Sequence, residues 1–333
     1  MRAMVLHEPK PVEERPLRLE ERPSPQPAPD EVLIKVLACG VCHTDLHTVE
    51  GELALPRLPL IPGHQVVGEI ALLGSSVQGH CLGERVGVAW LHLSDGKCAF
   101  CHSGHENLCL HPQFTGLQAD GGYAEYLTAP ADFIYPLPAG LTNPVNVAPL
   151  LCGGIIGYHS LRMAEVSPGC RLGLYGFGSS AHIAIQIAVH WKCTVYAFSR
   201  SERHRQLARE LGAAWTGKPD EAPPEPMDSA IIFAPAGELV PLAMEHLERG
   251  GVCALAGIYM TPTPPLDYQK HLYWEKTLRS VANATREDGR ELLQLAAEIP
   301  MTTKVETYPL ELANEVLLRL KQGKVQGTAV LIP

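Results

Sequence analysis

Residues 171–191 read "RLGLYGFGSSAHIAIQIAVHW", an apolar run that passes through two glycines into a helix-like apolar repeat. No feature of the chain restricts its fold more. A buried strand that becomes a helix within four residues has to be covered by that helix, and the next strand then lies parallel to the first. The pattern continues with "CTVYAFS" (strand), "SERHRQLARELGA" (helix), "DSAIIFAP" and "GVCALAGI" (strands). Gly176, Gly178 and Ala181 form a G-x-G-x-x-A turn. The first glycine permits the tight turn, the second lets a pyrophosphate reach the backbone at a helix N-terminus, and the alanine fits the close-packed third position. A dinucleotide is the expected ligand. An NAD site calls for an acid at the tip of the next strand, but "AFSRSE" puts Ser199 and Arg200 there. A hydroxyl beside a guanidinium suits a 2′-phosphate, so NADP(H) is expected to be preferred and NAD(H) possible.

Before this segment the texture differs. "EVLIKVLACG", "HQVVGEIALLG", "ERVGVAW" and "GGYAEYLTAPADFIYPLP" are short β-rich runs broken by Gly and Pro, expected of a barrel-like or irregular β domain. At 333 residues two domains are the default. The expected division is a β-rich domain over 1–153 and 282–333 and a doubly wound α/β Rossmann domain over 154–281. The net charge of −9 argues against nucleic-acid partners. No apolar run is long enough to span a bilayer, and the first residues lack a signal-peptide core. A cytoplasmic location is expected. There, ten cysteines are more often metal ligands than disulfides.

The cysteines fall in suggestive places. "DGKCAFCHSGHENLC" carries Cys98, Cys101 and Cys109, one ligand short of a closed tetrahedron. On spacing alone this is a broken zinc site, a complete one with a non-cysteine ligand, or three unrelated thiols. Upstream lie "CGVCHTDLH" and "IPGHQVVGEIALLG".

With these motifs the chain resembles the zinc-dependent alcohol dehydrogenases of the medium-chain dehydrogenase/reductase superfamily, nearly end to end. The resemblance implies a GroES-like catalytic domain beside the Rossmann domain. It implies a catalytic zinc on Cys42, His64 and Cys152, whose two thiolates and one imidazole balance the dication and leave a fourth position open. Coordination there would lower an alcohol's pKa toward neutrality. By the same resemblance Thr44 touches the substrate oxygen, His47 passes the proton to solvent, and Asp45 orients His64. Gln65 departs from the family, which usually has Glu there, putting ligand exchange in doubt.

Aligned to the family's structural zinc loop, the missing ligand falls on Asp95. Three thiolates and a carboxylate carry the charge of four thiolates, so a second zinc is expected on Asp95, Cys98, Cys101 and Cys109, with His102 and His105 as alternative ligands. Trp90 matches a position lining the substrate pocket, and Leu117 and Ile155 are further candidates. A tight apolar cleft favours small primary alcohols and aldehydes. Thr328 stands where the family often has Arg, a pyrophosphate contact that Arg286 or the glycine-turn amides would replace. The implied activity is reversible alcohol oxidation with NAD(P), by a homodimer or homotetramer. A zinc-free quinone or enone reductase of the same superfamily, or a non-catalytic zinc- and nucleotide-binding protein, are the alternatives.

Overall fold

The computed structural model describes residues 1–333. It divides into two compact units, Met1–Cys152 with Asn283–Pro333, and Gly153–Ala282. These bounds lie one residue from those expected.

In Gly153–Ala282 six strands form one sheet. Its order is Trp215–Gly217, Thr194–Phe198, Arg171–Tyr175, Met227–Ile232, Leu247–Leu255, Thr277–Ser280. Every pairing is parallel. Arg171–Tyr175 and Met227–Ile232 are neighbours although two strands separate them in the chain. The strand order therefore reverses beside the Gly176 turn, where open α/β sheets take their ligands. The central strands read as apolar runs because helices cover them: Ser179–His190 buries Ala181, Ile183, Ala184 and Ile187. Two strands escaped the sequence reading. Trp215–Gly217 has only three residues, and Thr277–Ser280 is a half-exposed edge with no period-two alternation.

The other unit is built on Glu31–Val41, an 11-residue strand buried along most of its length. It pairs antiparallel with Gln65–Leu73, Tyr126–Pro130 and Thr328–Ile332. Two register shifts against Gln65–Leu73, after Leu33 and Val36, bend the strand. The last segment of the chain matters to the site because Ala329 pairs with Val41, the residue before Cys42. The core beneath combines Ile34, Ile70, Tyr123, Leu127 and Val316.

Arg286 begins the helix Arg286–Glu298 and grips Glu106, in the loop between Cys101 and Cys109. Its Nη2 lies 2.6 Å and its Nε 2.9 Å from the two carboxylate oxygens. Its backbone N–H donates to Glu106 at 2.8 Å, and the guanidinium lies over Phe133. Arg286 is thus committed to tying the cysteine loop to the C-terminal segment. That corrects its suggested pyrophosphate role.

Burial disfavours charge on Glu106, but its bonds to Arg286 outweigh this and hold the carboxyl below its ordinary value. A depressed folded pKa stabilises above the unfolded value, near about 4.3, and that contribution is lost as pH falls through the folded value. Glu106→Gln should therefore cost about 2 kcal/mol at pH 7 by urea unfolding. The difference from wild type should shrink as pH is lowered below about 4. An equal deficit at both pH values would assign the loss to packing.

Candidate metal and catalytic site

Cys42 follows the central strand and caps the helix His43–Glu50. The pairing Gly40↔Gln65 carries the neighbouring strand back so that His64 falls beside Cys42. His64 follows Gly63, whose φ of 101° favours glycine and whose Cα faces Tyr123 so closely that a Cβ would lie 2.4 Å from the ring. Cys152 follows the 3₁₀ turn Ala148–Leu151, anchored where Leu151 packs directly on Gly87. Three distant segments so deliver two thiols and an imidazole to one point.

Their spacing suits an ion. Cys42 Sγ and Cys152 Sγ are 3.8 Å apart, and His64 Nε2 is 3.3 Å from Cys152 Sγ. All three donor atoms lie within 4.8 Å of one another. Tetrahedral zinc, with bonds of about 2.3 Å to sulfur and about 2.0–2.1 Å to nitrogen, sets such atoms about 3.8 and 3.5 Å apart. The set fits zinc and leaves one position open.

Asp45 holds this arrangement. Its Oδ2 accepts from the Cys42 backbone N–H at 2.8 Å and from the Tyr123 hydroxyl at 3.2 Å. Its Oδ1 accepts from His64 Nδ1 at 2.9 Å. The carboxylate is 1% exposed, so these donors replace water. With Nδ1 bonded to the carboxylate, Nε2 is the ring nitrogen turned toward the sulfurs, the one a metal would displace a proton from. The electrostatics agree. Cys152 and then His64 drive the Cys42 thiol well down despite burial, while Cys42 and burial drive Cys152 well up. Burial opposes charge on His64, yet Asp45 and Cys42 raise it to about 10. Two thiolates this close repel one another unless a cation lies between them, and metal binding would release those protons.

Around the cluster, Thr44 Oγ1 lies 3.7 Å from Cys42 Sγ. His47 is part-exposed and its Nδ1 meets the Glu52 carboxylate. Trp90 stands edge-on to the His64 ring at 5.0 Å and stacks on Phe114 at 4.8 Å. Gln65 is buried with its amide oxygen against Gly40. Tyr123, Phe114 and Glu52 were missed from sequence. Only Tyr123 had a signal, the paired glycines before it in "DGGYAEY".

The second cluster gathers Asp95, Cys98, Cys101 and Cys109, again within 4.8 Å. Cys98 and Cys101 sulfurs are 3.6 Å apart. Asp95 Oδ1 accepts from the backbone of Cys98 at 3.0 Å and of Lys97 at 2.9 Å, which keep its carboxyl ionised well below the usual range. Backbone N–H groups of Asp95 and His111 reach Cys109 Sγ. Neither His102 nor His105 joins the set; His105 Nδ1 instead pairs with Ser103. Four donors of total charge −4 fit a closed zinc site.

In the α/β unit Gly176 has φ of 87° with Ala234 against it, while a Cβ on Gly178 would meet nothing within 4 Å. That open backbone at the helix start suits a phosphate. Ala181 is fully buried, as its packing role requires. Ser199 is 6% exposed, and Arg200 is exposed and unpaired. Glu202, the nearest acid, is engaged by Arg205 and Arg209. No helix of the protein is long and apolar enough to cross a membrane.

Fold and site together define a zinc-type medium-chain dehydrogenase. Residues 28–139 match the alcohol dehydrogenase GroES-like domain and residues 181–298 the zinc-binding dehydrogenase domain. A probable alcohol dehydrogenase, AdhA, of Mycobacterium tuberculosis is 47% identical over 337 residues, covering 100% of this chain and 97% of its own. An alcohol dehydrogenase of Geobacillus stearothermophilus is 37% identical, covering 99% and 98%. The solved cobalt- and zinc-bound thermostable alcohol dehydrogenase of Pyrobaculum aerophilum superposes with a TM-score of 0.90 at 27% identity, covering 100% and 99%. The chain belongs to the zinc-dependent alcohol dehydrogenase family. It is a zinc- and nicotinamide-dependent enzyme of alcohols and aldehydes, and the zinc-free and non-catalytic alternatives are not favoured.

Asp45→Asn keeps the shape but sets an amide donor against a hydrogen-bond donor. Zinc affinity, read by chelator competition, should fall about 10–100-fold. Unchanged affinity would show that Asp45 does not orient the cluster.

Proposed function

We propose that the chain interconverts small primary alcohols and their aldehydes with NADP(H) preferred, holding one catalytic zinc on Cys42, His64 and Cys152 and a structural zinc on Asp95, Cys98, Cys101 and Cys109. The observation that carries this reading is the open three-donor set, already spaced for zinc and pinned by Asp45. Zinc, when bound, polarises the alcohol oxygen and lowers its pKa. The remaining work belongs to the chain's own groups. Asp45 keeps His64 in the tautomer whose Nε2 is free to ligate. Thr44, 8% exposed beside Cys42, offers a hydroxyl that can hold the alcohol proton. His47, paired with Glu52 and reaching solvent, can receive that proton and release it. Trp90, stacked on Phe114, narrows the space beside His64, which supports small or unbranched substrates.

The cofactor preference rests on Ser199 and on the unpaired guanidinium of Arg200, with Glu202 engaged by Arg205 and Arg209. A hydrogen bond to a charged group contributes roughly 1.5–3 kcal/mol, and each 1.4 kcal/mol is about tenfold. Aldehyde reduction by the zinc-loaded enzyme should have kcat/KM at least about tenfold higher with NADPH than with NADH. Ser199→Asp should invert the ratio, because its carboxylate repels a phosphate and accepts from free ribose hydroxyls. A wild-type preference for NADH would remove the 2′-phosphate role from Arg200. Absence of aldehyde reduction with both cofactors in zinc-replete protein would overturn the proposed activity.

A further inference from the structure

Most of the ten cysteines have an assigned environment. Five lie in the two metal clusters, Cys39 and Cys253 are buried, and Cys81 is exposed. Cys170 and Cys193 remain. They immediately precede two adjacent strands, Arg171–Tyr175 and Thr194–Phe198, whose register pairs Arg171 with Thr194. They therefore face one another across the N-terminal edge of the α/β sheet, opposite the edge that carries the Gly176 turn.

Their sulfurs are 3.8 Å apart, and both residues are half-buried. The segments around them are already joined: Thr194 N–H donates to Cys170 O at 2.9 Å and Gly169 N–H to Trp191 O at 3.0 Å. Strands one ladder spacing apart place their Cα atoms within the range a disulfide spans. Bond formation would draw the sulfurs together by about 1.8 Å. The flanking residues Ser167, Pro168, Gly169 and Lys192 are exposed, so a small oxidant can reach the pair.

We propose that Cys170 and Cys193 form a reversible dithiol–disulfide site, with Cys193 the attacking sulfur and a hydroperoxide the oxidant. The Cys193 thiolate attacks one peroxide oxygen, the O–O bond breaks, and hydroxide leaves Cys193 as a sulfenic acid. Cys170 sulfur then attacks Cys193 sulfur, the S–S bond forms and the S–O bond breaks. The departing hydroxide takes the Cys170 proton. In sum, two thiols and one hydrogen peroxide give one disulfide and two waters. The assignment of roles follows from the hydrogen bond that Cys170 donates to Cys193 and from the backbone N–H groups nearby. Together they lower the Cys193 thiol to about 7, while Cys170 is raised.

The test treats zinc-loaded enzyme with hydrogen peroxide, monitors zinc release, quenches, alkylates in denaturant and maps peptides by mass spectrometry. The expected product, formed before zinc is released, is a peptide pair joined through Cys170 and Cys193, lost on adding dithiothreitol. In Cys170→Ser, a dimedone adduct should appear on Cys193; in Cys193→Ser, Cys170 should remain alkylatable. Oxidation of Cys81 with both thiols still free would overturn the proposal. So would sulfinic acid on Cys193 in the wild type with Cys170 still reduced, or a dimedone adduct on Cys170 in Cys193→Ser.

Discussion

The Asp45 carboxylate is the constraint on which the catalytic unit turns. It is buried and receives donors from three parts of the chain: the Cys42 backbone, His64 and Tyr123. A buried carboxylate left with fewer partners would be costly to ionise, so each donor's position is fixed by the need to satisfy it. The central strand, bent by two register shifts and paired at Val41 with the last strand, delivers Cys42. The Gly63 turn delivers His64, and the fit of Tyr123 against that turn requires the glycine. Ligand geometry, strand register and the C-terminal segment are in this sense one problem with one solution.

The cysteine loop obeys the same logic with different means. Where Asp45 gathers side chains around a buried acid, Asp95 is itself gathered by backbone N–H groups of Lys97 and Cys98. Backbone donors keep it ionised, which an aspartate standing in for a fourth thiolate would require. Glu106 and Arg286 then fasten the loop to the rest of the unit. One cluster offers three donor side chains and the other four.

Much of this was legible in the sequence because it rests on local rules. The strand–glycine–helix run from Arg171 fixed the parallel sheet, and Gly176 has the positive φ that its place in the motif demands. The residues of both metal clusters were identified from spacing and resemblance, and the structure brings both sets together. The illegible parts depend on long-range contact. Nothing near Phe114 in sequence says that it stacks on Trp90, and the partner of Arg286 lies 180 residues away. Glu52, five residues beyond His47, looks in sequence like any surface acid. The edge strands Trp215–Gly217 and Thr277–Ser280 were missed because they are short and neither alternates buried with exposed positions, which leaves no clear pattern to read.

Two zinc sites per chain, one open and one closed, is the proposal on which the rest depends. Zinc analysis combined with X-ray absorption at the zinc edge tests it most directly. Two sulfur ligands in one cluster and three in the other predict two zinc ions per chain and a mean of 2.5 sulfurs per zinc. In Asp95→Ala the structural ion should be lost, leaving one zinc with two sulfurs. One zinc per wild-type chain, or an alanine variant that keeps both ions, would contradict it.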